Sequence, residues 1–393
     1  MRTVDAAGLP IGDGYPPRIM GVLNVSSESP YDPSVYADSG AAATYVDEQL
    51  VDEGADIVDV GLESANKRLA VLSPEEELER LDTAVETIES VSGEAIFSIE
   101  TRYAEVAEAA LNRGFDMVNA ICGFADPELP EVCREYDVAV SKMASPRDLE
   151  RPGAVGDVDW AEVRSPAWAR DADYVDKVYE ALTLNGLTEK TLVDPAFGGW
   201  SEDKTVEDDR ETFRRLREFR GLGQPVLVSI NRKNFLRFIA DRSTEEALPV
   251  SLAATSLAVE RGTHVVRTHD VAETRDAALI GDAFTERTSA VGNGVSAVEL
   301  DVRRARDVRR HLDRLGVDGA VASAMVGRVV EVTGLDERSQ EELAETAERA
   351  GAVVRGSGEG LLVGGSEDVL AATASGLPSS PAFEPVIEVL RGR

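Results

Sequence analysis

Polar residues of the kinds that bind ligands stand at the ends of short apolar runs in the first 286 residues. In Arg18-Ile-Met-Gly-Val-Leu-Asn24, four apolar side chains lead to one amide. Each such residue alone is an ordinary cap or rim residue, but together they suit a hydrogen-bonding heterocycle next to an anion held by Arg, Lys and His. They are Asn24, Asp59, Glu63, Glu100, Asn119, Asp194, Asn231, Arg232, Lys233, Arg267 and His269.

The apolar runs themselves predict strands covered on both faces, as in a parallel sheet, because they do not alternate with polar residues. Helical patterns separate them, and the C-terminal ends of such strands form the site in α/β proteins. We therefore predict a (β/α)8 TIM barrel followed by a smaller α/β domain, with a doubly wound open sheet as the alternative. The predicted strands are 19–24, 57–61, 96–101, 117–121, 138–143, 191–195, 226–231 and 265–269.

The helical segments carry start signals and apolar stripes. Ser73-Pro74-Glu75-Glu76 is a capping box with proline at the first helical position, and an apolar stripe of helical spacing follows it. Further helices are predicted at 103–112, 207–219, 245–260 and 271–284.

The charge of the chain is strongly acidic. Asp and Glu number 73 against 41 Lys and Arg, which gives a net charge of −32 over 393 residues. This excludes nucleic acid as an expected partner. Because the acids are spread evenly and lysine is scarce, we expect a protein adapted to a salt-rich cytoplasm, where screening reduces self-repulsion.

The number of cysteines and the lengths of the apolar runs predict the cellular compartment. The cysteines Cys122 and Cys133 have no metal-type spacing, and two thiols in a chain of this length indicate a reducing compartment. The N-terminus shows no secretory pattern, and no apolar run reaches membrane-spanning length. We therefore expect a cytoplasmic protein with no membrane partner.

Five motifs occur in the order found in dihydropteroate synthases, and the chain resembles that family over residues 18–286. The motifs are Met20-Gly-Val-Leu-Asn24-Val, Asp59-Val-Gly-Leu-Glu63-Ser64, Asp194-Pro195, Arg232-Lys233 and Arg267-Thr268-His269. The resemblance implies a (β/α)8 barrel and a homodimer. It also implies a transferase of folate biosynthesis that joins 6-hydroxymethyl-7,8-dihydropterin diphosphate to an aromatic amine, with Mg²⁺ and release of diphosphate.

The resemblance also assigns roles to residues. Asp194 would accept hydrogen bonds from the pterin, Asn119 would add a second ring contact, and Lys233 would reach the pterin carbonyl. Asn24 would contact Mg²⁺, whose other ligands are diphosphate oxygens and water, while Arg267 and His269 would receive the departing diphosphate. Lys233, Arg267 and His269 are thus the predicted catalytic residues. The remaining predicted substrate-binding residues are Asp59, Glu63, Glu100, Arg232, Lys67 and Arg68.

Departures from the family pattern fall on the acceptor side of the site. Where the family has Thr-Arg-Pro, this chain reads Ala65-Asn66-Lys67-Arg68, and either cation is the candidate replacement for the absent arginine. Glu100 stands where the family has Asp, one methylene shorter. The amine is therefore expected to be 4-aminobenzoate or a relative of it.

The chain is predicted to have three parts: an N-terminal extension at 1–17, a pterin-binding barrel at 18–289 and a C-terminal α/β domain at 290–393. Gly292-Asn293-Gly294 is predicted as a hinge, and His311, in an arginine-rich helix, as a surface residue. Strands are predicted at 298–301 and 328–332, and a hairpin around Gly356-Ser357-Gly358. The sequence assigns this domain no chemistry.

Two alternative functions remain. A noncatalytic pterin-binding protein would keep the pocket and lose the loop chemistry. A pterin-dependent methyltransferase of the same fold is disfavoured, because the chain has three histidines and no Asp-x-His-x-x-Gly motif for a corrinoid.

Overall fold

The computed structural model describes residues 1–26, 32–64, 69–198, 204–285, 289–302, 304–325 and 327–391. The chain forms two compact units. One unit consists of Arg2–Phe219 and Gln224–Thr285, and the other consists of Glu286–Arg393 with Met1 and Arg220–Gly223.

Eight parallel strands of the first unit form the predicted barrel. They pair in chain order, and the last strand pairs with the first. A parallel bridge between Val193 and Val226 closes the remaining gap, where the amide of Val193 donates to the carbonyl of Pro225 at 2.9 Å. After a hairpin of β1 (Val4–Ala6) and β2 (Leu9–Ile11), the barrel strands are β3 (Arg18–Asn24), β4 (Ile57–Gly61), β5 (Ile96–Thr101), β6 (Met117–Ala120), β7 (Ala139–Met143), β8 (Thr191–Asp194), β9 (Leu227–Val228) and β10 (Val265–Thr268).

Helices surround these strands, and their starts follow the sequence signals. The predicted capping box is present: Ser73 accepts from the amide of Glu76 at 3.3 Å, and Glu76 accepts from the amide of Ser73 at 2.7 Å. The helices are α1 (Ser39–Tyr45), α2 (Pro74–Ser90), α3 (Ala104–Leu111), α4 (Leu129–Glu135), α5 (Trp160–Val163), α6 (Pro166–Asp171), α7 (Tyr174–Thr183), α8 (Val206–Arg214), α9 (Asn234–Ala240), α10 (Leu248–Glu260) and α11 (Val271–Ala283). Within the described residues, none is long and apolar enough to cross a membrane.

The N-terminal hairpin fills one end of the barrel. Val4, Ala6 and Ile11 pack in one buried cluster with residues near the N-terminal ends of the barrel strands, including Met20 and Val265. Burying this apolar surface stabilises the closed barrel. The segment predicted as an extension therefore contributes to the barrel core.

The second unit is a five-stranded antiparallel sheet between helices. Its strand order is β11-β12-β13-β15-β14. One apolar cluster lies under α13, α14 and α15, and the other lies under α12. The elements are β11 (Ser289–Gly292), β12 (Val295–Leu300), α12 (Ala305–Arg314), β13 (Arg328–Thr333), α13 (Glu337–Arg349), β14 (Val353–Ser357), β15 (Gly360–Gly365), α14 (Glu367–Gly376) and α15 (Glu384–Leu390).

Two predictions for this unit are wrong. Residues 292–294 are not a hinge, because Gly292 pairs with Val295 across a tight β11–β12 hairpin. Asn293 and Gly294 have φ angles of 53° and 76°, as a two-residue type I′ turn requires. His311 is not on the surface: it is 5% exposed, because it lies on the inner side of α12 next to Leu312.

Candidate active site

A hydrogen-bonded group of four polar side chains lies inside the barrel above its apolar end. Arg267 on β10 donates from Nε to Oδ2 of Asp59 and from NH2 to Oε2 of Glu100, each at 2.6 Å. Asn119 on β6 donates to the same Oδ2 of Asp59 at 2.9 Å. Since β4, β5, β6 and β10 each contribute one inward-facing residue, four predicted site residues meet.

The burial of this group perturbs its electrostatics. Asp59 is fully buried and Glu100 is 8% exposed. Burial raises the pKa of Glu100 to about 7, although Arg267 opposes the shift. Asp59 Oδ1 has no hydrogen-bond partner in the described part of the chain, and neither have the hydroxyls of Ser98 and Ser141. Buried polar atoms without partners are rare, so this interior suits a polar ligand.

Asp194 ends β8 and presents a carboxylate with one oxygen available. Its Oδ1 accepts the amide of Ala196 at 2.8 Å, while Oδ2 accepts no hydrogen bond from the described residues. The side chain is buried, which raises the pKa of Asp194, and the amide of Ala196 and the charge of Lys233 lower it. A buried carboxylate oxygen of this kind can accept from a ligand N–H group.

Lys233 lies close to the loop that follows β8. A Cβ atom added to Gly198 would lie 3.0 Å from Lys233 Nζ, so the ammonium passes directly over this glycine. Burial, followed by the charge of Arg267, lowers the pKa of Lys233 to about 8, and Asp194 opposes the shift. The side chain is therefore a cation that can lose its proton near neutral pH.

Asn24, Ser34 and His269 form a second polar group at the end of β3. Asn24 Nδ2 donates to Ser34 Oγ at 3.0 Å, and Ser34 Oγ lies 3.1 Å from His269 Nδ1. Burial, followed by Arg267, lowers the pKa of His269 to about 3. His269 was predicted to hold an anion by charge, but a neutral imidazole can offer it only a hydrogen bond.

Arg267 too can offer an anion less charge than the sequence predicts. Its guanidinium is engaged by Asp59 and Glu100, so most of its charge is already compensated. Of the three guanidinium nitrogens of Arg267, NH1 alone has no hydrogen-bond partner among the described residues. Arg267 therefore organises two acids first and can offer one nitrogen to an anion.

Glu63 contacts the protein through both carboxylate oxygens, and its contact with substrate stays a prediction. Its Oε1 accepts the amide of Leu72 at 3.0 Å, and its Oε2 pairs with NH2 of Arg102. Both oxygens are therefore engaged by the protein, and Glu63 links Leu72 to Arg102. Arg102 was missed from the sequence, although it stands two residues after Glu100 at the end of a predicted strand.

Arg232 is also directed at the protein, and its contact with substrate stays a prediction. It forms a bidentate pair with Asp270 at 2.8 and 2.9 Å, and its NH1 donates to the carbonyls of Thr244 and Glu245. Asn231 donates to the same Asp270 at 2.8 Å. Residues 231 and 232 thus join the ends of β9 and β10. The predicted cations Lys67 and Arg68 lie outside the described residues.

The comparison with protein families gives one match over most of the barrel. The model described as "Pterin binding enzyme" matches residues 20–269. The match ends before Glu286, where the main segment of the second unit begins.

Individual relatives agree with this match. A probable bifunctional folylpolyglutamate synthase/dihydropteroate synthase of Halobacterium salinarum is 32% identical over 279 residues, which are 70% of this chain and 33% of that protein. This chain thus spans about a third of the length of that relative. The dihydropteroate synthase of Bacillus subtilis is 30% identical over 271 residues, which are 68% of this chain and 89% of the relative.

The solved structures include similar barrels. The dihydropteroate synthase of Thermus thermophilus in complex with 4-aminobenzoate superposes with a TM-score of 0.56 at 27% identity, over 72% of this chain and 100% of that chain.

Proposed function

This chain belongs to the pterin-binding enzyme family, and on that premise we propose that it joins 6-hydroxymethyl-7,8-dihydropterin diphosphate to an aromatic amine and releases diphosphate. Such a transferase acts in folate biosynthesis. The relatives from Halobacterium salinarum and Bacillus subtilis carry dihydropteroate synthase in their names.

The observation that carries the proposal is the buried carboxylate of Asp194. Its Oδ1 is used by the amide of Ala196, and its Oδ2 is available at the C-terminal end of a barrel strand. A pterin has an amino group and a neighbouring ring N–H, which suit a carboxylate acceptor. The group of Asp59, Glu100, Asn119 and Arg267 supplies further donors and acceptors in the same interior.

The chemistry needs neither a nucleophilic enzyme side chain nor a strong base. As the carbon–oxygen bond of the substrate breaks and diphosphate departs, the pterin ring shares the positive charge of its exocyclic methylene. A neutral aromatic amine attacks that carbon, and its nitrogen then loses one proton to water or to the departing diphosphate. The protein must place the two reactants and neutralise the leaving group. We assign Lys233 to the pterin carbonyl, and Arg267 NH1 with neutral His269 to the departing diphosphate.

Asn24 fits the expected Mg²⁺ in a limited way. Its Oδ1 accepts no hydrogen bond from the described residues, and those residues contain no group of three acid, histidine or cysteine ligands. One amide oxygen suits a metal that arrives with the diphosphate and keeps several waters. When bound, Mg²⁺ would neutralise charge on the leaving group.

The acceptor is proposed to be 4-aminobenzoate or a relative of it, because the second loop departs from the family pattern. The test uses the full chain with Mg²⁺, the pterin diphosphate and a panel of aromatic amines, and it measures released diphosphate. We expect release that depends on both the amine and the pterin. Pterin diphosphate binding without release for every amine would replace this proposal by the noncatalytic alternative.

We also propose a homodimer through the face formed by α9, α10 and α11. This face exposes large apolar side chains that a monomer would leave in water. They are Phe238 at 75%, Ile239 at 59%, Leu257 at 47%, Leu279 at 43%, Ile280 at 56% and Phe284 at 77% exposed. Sedimentation velocity should give a dimer for the wild type and a monomer for Ile280→Glu. Val163→Glu, at an exposed apolar residue elsewhere, should remain dimeric.

We place the protein in the cytoplasm. The proposed substrates are charged metabolites, and both cysteines, Cys122 and Cys133, are free thiols buried in the barrel unit. Reduced thiols fit a reducing compartment.

A further inference from the structure

A buried ion pair holds the loop after β8 on both sides of residues 199–203. Lys204 Nζ lies 2.6 Å from Asp209 Oδ1, and their side chains are 2% and 6% exposed. Lys204 also donates to the carbonyl of Ala196, and Asp209 accepts the amide of Gly198 at 3.2 Å. The pair therefore binds the backbone of the loop at two points.

That part of the loop has a conformation that needs support. Ala196 has a φ of 62° and Gly198 a φ of 119°. A left-handed alanine is uncommon and persists only where its surroundings determine it. The same two residues contact the proposed pterin site: Ala196 donates its amide to Asp194, and Gly198 lies under Lys233 Nζ.

Both members of the pair also act on Lys233 through their charges. Among the described residues, the charged groups that act most strongly on Lys233 are Arg267, Asp194, Asp209 and Lys204, and Lys233 in turn acts on His269. Asp209 raises the pKa of Lys233 and Lys204 lowers it. The two charges therefore act on this amine in opposite directions.

We propose that Lys204 and Asp209 are a positioning pair that fixes Lys233 and Asp194 for pterin binding and balances the charge beside them. This proposal rests on the proposed role of Lys233. Neither residue has to touch the substrate, because the pair acts through the loop backbone and through its field.

The test measures the titration of Lys233 itself. The rate of its modification by trace acetic anhydride is followed against pH by mass spectrometry of the peptide that contains it. The chain has six lysines, so the modified peptides are few. Lys177 on α7 serves as the internal reference.

Two single variants give opposite expectations. Lys204→Met removes a positive charge and should raise the midpoint of Lys233 by roughly half a unit or more, and Asp209→Asn should lower it by a similar amount. A purely structural role would loosen the loop and hydrate Lys233 in both variants, which would raise both midpoints. Lys204→Arg keeps the charge and should restore the wild-type midpoint.

A second ion pair of the same chemistry provides the control. Lys190 Nζ lies 2.9 Å from Asp137 Oδ2, and these side chains are 26% and 82% exposed. Lys190→Met and Asp137→Asn should leave the Lys233 midpoint unchanged. Shifts of equal sign in the test variants, or no shift beyond these controls, would overturn the proposal. If Lys204→Met does not fold, the proposal is tested by Asp209→Asn alone, which must lower the Lys233 midpoint.

The labelling experiment needs no turnover, so it separates two failures. If the two variants shift the Lys233 midpoint in opposite directions but the wild type releases no diphosphate, the proposed reaction is disproved and the charge coupling is supported. If the wild type releases diphosphate but both variants shift the Lys233 midpoint in the same direction, only the proposed positioning role of the pair is disproved.

Discussion

Arg102 and Glu63 form an ion pair between the third and second βα segments of the barrel, with side chains that are 4% and 9% exposed. Glu63 also accepts the amide of Leu72, whose carbonyl accepts the hydroxyl of Tyr103 at 2.7 Å. Arg102 donates in addition to the carbonyl of Leu149 in the fifth loop. Glu63 and Leu72, which lie on either side of residues 65–68 in the sequence, are thus held from a neighbouring segment.

Breaking this pair should destabilise the barrel strongly. Arg102→Met leaves Glu63 buried without its cation, and we expect a loss of about 3 to 5 kcal/mol in the free energy of unfolding. Denaturant titration measures the loss. Arg113→Met removes an exposed pair with Asp82, which is 72% exposed, and should lose less than about 1 kcal/mol. Equal losses in the two variants would contradict the assigned role of Arg102.

Removal of the Asp194 carboxylate should weaken pterin binding. Asp194→Ala deletes the proposed acceptor and leaves ligand N–H groups unpaired, which should cost about 2 to 4 kcal/mol of binding free energy. Calorimetric titration with a diphosphate-free pterin measures the change. Asp82→Ala, at an exposed acid, should bind as the wild type does. An unchanged affinity of Asp194→Ala for pterin would show that the pterin does not bind at Asp194.

Glu77 should make stability depend on pH. It is 1% exposed, accepts the hydroxyl of Thr101 at 2.6 Å, and has no partner for Oε1 among the residues described. Burial raises its pKa from 4.5 to about 7, although the Thr101 bond opposes the shift. The folded state therefore binds the proton more tightly than the unfolded state. This contribution is complete below pH 4.5 and is lost as the pH rises through 7.

The matching experiment compares Glu77→Gln with the wild type at pH 5 and pH 8. The variant should gain up to about 3 kcal/mol relative to the wild type at the higher pH. Denaturant titration at both pH values gives the difference. Glu79→Gln, at an exposed residue of the same helix, should show no such gain. A constant difference between Glu77→Gln and the wild type would disprove the raised pKa.

The acidic surface should require salt. The net charge of −32 repels itself more strongly as the Debye length grows from about 3 Å in 1 M salt to about 10 Å in 0.1 M. We expect the melting temperature to fall when KCl is lowered over that range. A melting temperature that is independent of KCl would exclude the halophilic interpretation.

The two units should be separable. Each has its own apolar clusters, and independent cores tolerate separation. A chain ending at Thr285 should fold and bind pterin with unchanged affinity, as circular dichroism and calorimetry can measure. The cut must precede β11, because Gly292 lies inside the second sheet. Insolubility or lost affinity would assign the second unit a part in the barrel or its site.

The sequence predicted the barrel well because buried strands are apolar and helices have caps, and both are local signals. The ninth strand shows the limit of such signals. It was predicted at 226–231, yet only Leu227–Val228 form a strand. Lys233 donates its amide to the carbonyl of Ile230, and Arg232 has a φ of 53°, so the chain already turns at residues 230–233, before the predicted strand would end.

The sequence predicts that polar residues at the strand ends meet, but it does not predict which side chains pair with one another. Asp59, Glu100, Asn119 and Arg267 meet as expected, because strand ends converge. Which charged side chains pair depends on the register between strands and on loop paths, and neither is a local property. Glu63 and Arg102 are 39 residues apart, and no periodicity of the sequence links them.

The hairpin at the closed end of the barrel has a consequence for synthesis. Its residues Val4, Ala6 and Ile11 are translated before every barrel strand, yet their cluster includes Val265 from the last barrel strand. Contacts over such a separation form late, because the intervening chain must be ordered first. The hairpin must therefore wait until the last barrel strand has been translated. During that interval its apolar side chains are exposed to chaperones and to other nascent chains.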